Sequence, residues 1–106
     1  MLGLLALAAV PSMTAAQPVT LVARPAAGQV RLEVIGDSAV PFAGRYELEA
    51  TSGTGNRSRH SGTVALQPDR RMVLVSLGLG TGQGNWSARL TVSGPSGSYE
   101  QTAGGR

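Results

Sequence analysis

The sequence has 106 residues, with nine basic and six acidic side chains, one histidine and no cysteine. This length accommodates one domain, and the lack of cysteine excludes disulfide frameworks, thiolate zinc sites and thiol nucleophiles. All nine basic residues are arginines scattered along the chain, giving a net charge of +3. That charge favours acidic partners, but the basic and aromatic clustering typical of nucleic-acid binding is missing, so we expect no nucleic-acid partner.

The N-terminal segment differs in composition from the rest of the chain. Residues 2–10 form an uncharged apolar run, which is too short for a membrane span of about 20 residues but matches the hydrophobic region of a signal peptide. Pro11 ends the run, and small residues at 14–16 precede Gln17, as a signal-peptidase site requires. We predict a signal peptide at 1–16 and a periplasmic or secreted domain at 17–106 without a membrane span; a buried N-terminal helix is the alternative.

After Gln17, short runs of alternating apolar and polar residues are separated by turn residues, and no helical stripe is sustained. The run at 72–79 is apolar on both faces, which predicts a central strand, and Pro25 is expected to end the first strand. The glycine-rich tail at 103–106 is expected to be disordered. The predicted strands cover residues 19–24, 30–34, 45–50, 59–66, 72–79, 86–93 and 98–102.

Seven short strands, each with one apolar face, favour an all-β fold of two packed antiparallel sheets. We predict a seven-stranded antiparallel immunoglobulin-like β-sandwich forming a single domain, with a small closed barrel as the alternative. The predicted core consists of Val30, Leu32, Tyr46, Leu48, Val64, Leu66, Val73, Val75, Trp86, Leu90 and Val92.

Candidate catalytic groups are few. His60 is the only imidazole, so a serine–histidine–aspartate relay would need it together with Asp37 or Asp69, both of which lie in predicted turns. Glu47 and Glu49 share a strand face, where the nearby Arg45 indicates a solvated charge ladder rather than paired catalytic carboxylates. We therefore expect no catalytic site, no bound cofactor and no metal site.

Three segments of the chain resemble the curli-associated CsgC/CsgH group, in particular its CsgH-like branch. They are residues 46–55, 58–66 and 85–92, and the resemblance extends over residues 28–102. It implies a small periplasmic immunoglobulin-like sandwich that acts as a chaperone-like inhibitor of curli amyloid subunit polymerisation. The CsgC branch carries a Cys-x-Cys pair that this sequence lacks, so the resemblance implies no redox role.

The resemblance also implies a protein client, a curli-type amyloid subunit, for a protein expected to be monomeric. Four arginines are predicted to point outward and to offer an electropositive patch to a polar or acidic client. Two other classes remain open, namely an exported binding or adhesion module and a subunit that itself polymerises. The predicted partner-binding residues are Arg45, Arg57, Arg59 and Arg89.

Overall fold

The computed structural model describes residues 17–53, 55–81 and 84–105. The predicted signal peptide at 1–16 lies outside the described residues. Within the described ranges the regular elements are all strands, and no helix is long and apolar enough to span a membrane. The strands are β1 (Val19–Ala26), β2 (Gln29–Gly36), β3 (Phe42–Ser52), β4 (Arg57–Leu66), β5 (Met72–Gly80), β6 (Trp86–Gly94) and β7 (Gly97–Gly105).

The strands form two antiparallel sheets. One sheet has three strands in the order β1-β2-β5, and the other has four in the order β4-β3-β6-β7. The inward faces of both sheets supply one hydrophobic core, as expected when each strand alternates between core and solvent. The prediction of an all-β, seven-stranded sandwich is therefore confirmed, and the closed barrel is not formed.

Most of the predicted core is buried, with two side chains half-buried and one exposed. Tyr46 and Val75 are half-buried and pack against the core, whereas Val73 is 54% exposed, so its assignment to the core was wrong. The buried members of the predicted core are Val30, Leu32, Leu48, Val64, Leu66, Trp86, Leu90 and Val92.

The position of β5 also corrects the prediction. It pairs with β2 and forms an edge of the three-stranded sheet rather than its centre. The β2–β5 register shifts between Val34 and Ile35, where Leu74 of β5 has no partner in β2, and the consecutive residues Leu74 and Val75 both pack against the core. The shift interrupts the alternation of inward and outward side chains along β5. The sequence of the strand is therefore apolar at positions of both faces, although only one face of the sheet packs against the core. Val73 lies beyond the shift, near the start of the strand, where its side chain is largely exposed.

Two strand ends extend further than predicted. β1 continues through Pro25 to Ala26, because an edge strand tolerates a residue without a backbone N–H. A two-residue turn follows, and Gly28 adopts φ +75° there, a conformation that favours glycine. At the other end, the residues of β7 up to Gly105 pair with β6, so the prediction of a disordered tail was wrong for 103–105.

Candidate partner-binding surfaces

The outer face of the four-stranded sheet carries all four arginines predicted to bind a partner. Because side chains alternate along a strand, every second residue of β3 faces outward, and the register places Glu49 between Arg59 of β4 and Arg89 of β6. One step along the sheet, Arg57 lies opposite Thr51. Arg45, Arg57, Arg59 and Arg89 are all exposed.

Glu49 is the centre of an ion-pair network on this face. Its Oε2 accepts a hydrogen bond from Arg59 Nη2 at 3.2 Å, and its Oε1 accepts one from Arg89 Nη2 at 2.9 Å. The hydrogen bond from Arg59 and then that from Arg89 hold the pKa of Glu49 below its usual value. Arg59 Nε also lies 3.2 Å from Glu47 Oε2, and Arg89 Nε lies 3.7 Å from Glu100 Oε2.

This network changes the interpretation of the surface. Three glutamates are interleaved with the four arginines and pair with two of them, so the face that was predicted to be electropositive carries charges of both signs. Arg45 and Arg57 form no ion pair with any described residue, so they are the cations of this face that remain available to a partner. Shallow grooves adjoin both, of about 220 Å³ beside Arg45 and about 330 Å³ beside Arg57. Partner binding by these four residues stays a prediction.

A larger groove of about 490 Å³ opens at the end of the sandwich where β1 begins and β6 turns into β7. Its walls are mainly apolar and include Pro18, Val40, Phe42, Pro95 and Tyr99. Val40 is 63% exposed at its rim. The groove is open to solvent and is lined by none of the four arginines, so it is a separate candidate surface.

The two sheets are joined along one side by side chains of β7. The Tyr99 hydroxyl accepts a hydrogen bond from the Val19 backbone N–H at 2.9 Å and donates one to the Val19 carbonyl oxygen at 2.7 Å. Gln101 Oε1 accepts from the Leu21 backbone N–H at 2.8 Å, and Gln101 Nε2 donates to the Val19 carbonyl at 3.3 Å. The outer backbone groups at the start of β1, those of Val19 and the N–H of Leu21, are therefore occupied. Sequence reasoning missed both side chains, since nothing in the local pattern of β7 shows which strand lies beside it.

The residues considered for catalysis are not brought together into a catalytic arrangement. His60 is exposed on the edge strand β4. Asp37 lies after β2, where its backbone N–H donates to the Pro18 carbonyl at 2.8 Å. Asp69 lies in the β4–β5 turn with φ +56°, a left-handed conformation that aspartate tolerates in turns. Among the residues that the structure describes, no group of three histidine, aspartate or glutamate side chains is placed to hold a metal ion.

Comparisons with known proteins bear on the fold. No protein-family model and no curated protein matches the sequence. Among solved structures, CsgH of R. palustris matches with a TM-score of 0.58 and 22% sequence identity, over 79% of this chain and 87% of that one. The E. coli curli protein CsgC matches with a TM-score of 0.64 and 16% identity, over 79% of this chain and 94% of that one. The chain therefore has the fold of CsgH and CsgC, and the resemblance to the CsgC/CsgH group is confirmed at the level of the fold.

Proposed function

We propose that this protein is a chaperone-like inhibitor of curli-type amyloid subunit polymerisation that acts by transient binding and without catalysis. The observation that carries the proposal is the fold shared with CsgH and with a curli protein, over most of the length of each. The three sequence segments that resemble the same group add support. The client is a curli-type subunit, and the proposal requires no cofactor or metal.

Amyloid growth gives this fold a physical route to inhibition. Fibrils grow when a strand adds to an exposed strand edge through backbone hydrogen bonds. A soluble sandwich that meets a nascent edge occupies the hydrogen-bonding groups on which the next subunit would assemble. The ion-paired outer face of the four-stranded sheet opposes co-assembly, because another sheet stacking on it would have to desolvate these charges.

The proposed location is the periplasm, reached by export. This part rests on the signal-peptide pattern at 1–16 and on the likeness to a curli protein. Mass spectrometry of the mature protein from a periplasmic extract should show an N-terminus at Gln17, within a residue or two. Recovery of the intact chain beginning at Met1 from the cytoplasm would contradict export.

The proposed activity is tested by following amyloid formation of a curli-type subunit with thioflavin fluorescence. We expect the folded protein to lengthen the lag phase without any added cofactor. The controls are the same protein after denaturation and an unrelated immunoglobulin-like domain of similar size. An unchanged lag at an equimolar ratio would remove the inhibitor proposal and leave the binding or adhesion module as the next hypothesis.

A further inference from the structure

The four sheet edges of the sandwich are protected to different degrees against the addition of another strand. At Val19 and Leu21 the edge of β1 is occupied by Tyr99 and Gln101, which belong to β7. The edge strand β4 carries the charged side chains of Arg57 and Arg59. Because β1 and β7 meet on one side of the sandwich, the edges of β5 and β4 lie on the opposite, open side.

β5 has neither of these two kinds of protection, and its one irregularity is the register shift beside Leu74. Its nine residues, Met72–Gly80, include no charged side chain and no proline. Among the described residues, no side chain donates to or accepts from its outer backbone groups. Charged side chains, proline, side-chain caps and β-bulges are the usual means by which proteins prevent strands from adding to a sheet edge. Away from the register shift beside Leu74, the β5 edge is therefore open to strand addition.

The same strand exposes apolar side chains. Met72 is 42% exposed and Val73 is 54% exposed, and Val40 is the one other large hydrophobic residue exposed to this degree in the described chain. An exposed uncharged edge with adjacent apolar side chains is the surface that an extended peptide uses when it adds to a sheet. The backbone supplies affinity there, and the side chains supply selectivity.

The charges around β5 indicate what kind of segment fits. Arg70 and Arg71 immediately precede the strand, and both are exposed. In an antiparallel pair, the C-terminal end of an added segment would lie beside these two arginines. The segment that fits is therefore uncharged along its middle, has small or aliphatic side chains at alternate positions, and carries an acidic residue near its C-terminal end.

We propose that β5 is the docking strand for such an extended segment of the client subunit, which would extend the sheet β1-β2-β5 by one antiparallel strand. This inference rests on the proposed function, because it specifies where the amyloid subunit binds. It assigns the contact to the backbone of Met72–Gly80 and to the side chains of Met72 and Val73. Arg70 and Arg71 are placed to pair with the acidic residue near the C-terminal end of the added strand.

The test compares Val73→Lys with Val40→Lys. Both valines are exposed and outside the core cluster, so both variants should fold, and each adds one positive charge to the chain. A lysine on the edge strand should block strand addition, so Val73→Lys should lose most of the wild-type lag extension. Val40→Lys changes the rim of the apolar groove and should retain the wild-type lag extension.

Amide hydrogen exchange of the wild-type protein supplies a second readout that needs no variant. With a soluble peptide from the client subunit present, exchange should slow at the amides of β5 and stay unchanged in β4. Slowing in β4 alone would overturn the docking assignment. Protection of β5 without peptide, together with a dimer in analytical ultracentrifugation, would also overturn it, because a second copy would then occupy the edge.

The outcomes separate this inference from the proposed function. If the wild type extends the lag and both variants match it, the β5 assignment is wrong and the function stands. If only Val40→Lys loses the lag extension, the docking site lies in the apolar groove instead. If both variants lose it equally, the added positive charge is the cause of the loss. If the wild type leaves the lag unchanged, the proposed function fails and the β5 assignment fails with it.

Discussion

The Tyr99 hydroxyl binds both backbone polar groups of Val19, a residue 80 positions earlier in the chain. Val19 is fully buried, so without the phenol its N–H group would lack a partner in an apolar surrounding, whereas its carbonyl oxygen also accepts from Gln101 Nε2. One phenol thus joins the first strand of one sheet to the last strand of the other. This contact, together with those of Gln101, closes one side of the sandwich and leaves the β4–β5 side as the open one.

Tyr99→Phe should destabilise the fold by about 1–3 kcal/mol, because it leaves the buried Val19 N–H without a partner. Gln101 Nε2 would still lie 3.3 Å from the Val19 carbonyl, so that oxygen keeps one donor. Urea denaturation measures the loss. The matched control is Tyr46→Phe, because the Tyr46 hydroxyl makes no hydrogen bond to any described residue. Equal losses in the two variants would contradict the role assigned to the Tyr99 hydroxyl.

Stability should also fall in alkaline solution through Tyr99. Burial raises the pKa of Tyr99 above its ordinary value of 10.0, and the hydrogen bond to the Val19 backbone opposes this rise in part. The folded state therefore keeps the phenol proton to higher pH than the unfolded state does, and stability declines as pH rises above 10. Urea midpoints of the wild type and Tyr99→Phe should converge over that range. A difference that stays constant would contradict the predicted titration.

Acid should weaken the ion-pair network through Glu49. The pKa of Glu49 is lowered from 4.5 by its hydrogen bonds to Arg59 and Arg89, so the ionised form favours the folded state. The contribution of ionised Glu49 to the stability of the fold is complete above pH 4.5, and it is lost as pH falls through the lower pKa of Glu49 in the folded state. Glu49→Gln should be less stable than the wild type at neutral pH, and this difference should disappear in acid.

The control for the acid prediction is Glu100→Gln. Glu100 is 53% exposed on its side chain and lies 3.7 Å from Arg89, whereas Glu49 is 21% exposed and contacts two arginines. Exposed single pairs contribute little, so Glu100→Gln should change stability less at every pH. A larger effect at Glu100 than at Glu49 would show that the network is not centred on Glu49.

Trp86→Ala should be among the most damaging single substitutions. Trp86 is 7% exposed at the start of β6, within the core cluster, and truncation of a buried tryptophan to alanine costs about 3–5 kcal/mol. As the sole tryptophan of the chain, it also reports its own surroundings by fluorescence. The native emission should be blue-shifted relative to the unfolded state. A solvent-exposed spectrum of the folded protein would contradict the burial.

Arg57→Ser should weaken inhibition of polymerisation more than Arg24→Ser does. Both changes remove one exposed positive charge. Arg57 has no ion pair among the described residues and lies on β4, at the open side, whereas Arg24 pairs with Glu33 at 3.3 Å on the other sheet. Lag times measured at low ionic strength, where screening is weakest, should separate the variants. If the two variants shorten the lag equally, the electrostatic contribution to inhibition comes from the net charge of the protein and not from the outer face of the four-stranded sheet.

Local alternation was sufficient to predict the strands whose burial is one-sided. In β6, Trp86, Leu90 and Val92 are buried and alternate with outward residues, as the sequence pattern indicated. The pattern failed for β5, because the register irregularity near Ile35 and Val73 arises from pairing with a distant strand.

Long-range pairing explains the other differences as well. The glycine-rich end of β7 looks disordered in isolation, but its residues pair with β6 up to Gly105. The four arginines were correctly expected to be exposed, but their charge could be judged only once Glu100 of β7 and Glu49 of β3 were known to flank Arg89. Which charges share a face depends on strand order, and spacing within one strand does not reveal that order.

Inhibition by this protein is tested most directly by the lag time of curli-type subunit polymerisation, measured against the molar ratio of this protein to the subunit. An inhibitor that meets rare nuclei or fibril ends should lengthen the lag at ratios far below equimolar, and the effect should grow with the amount added. A lag that is unchanged up to an equimolar ratio would contradict inhibition of polymerisation by this protein.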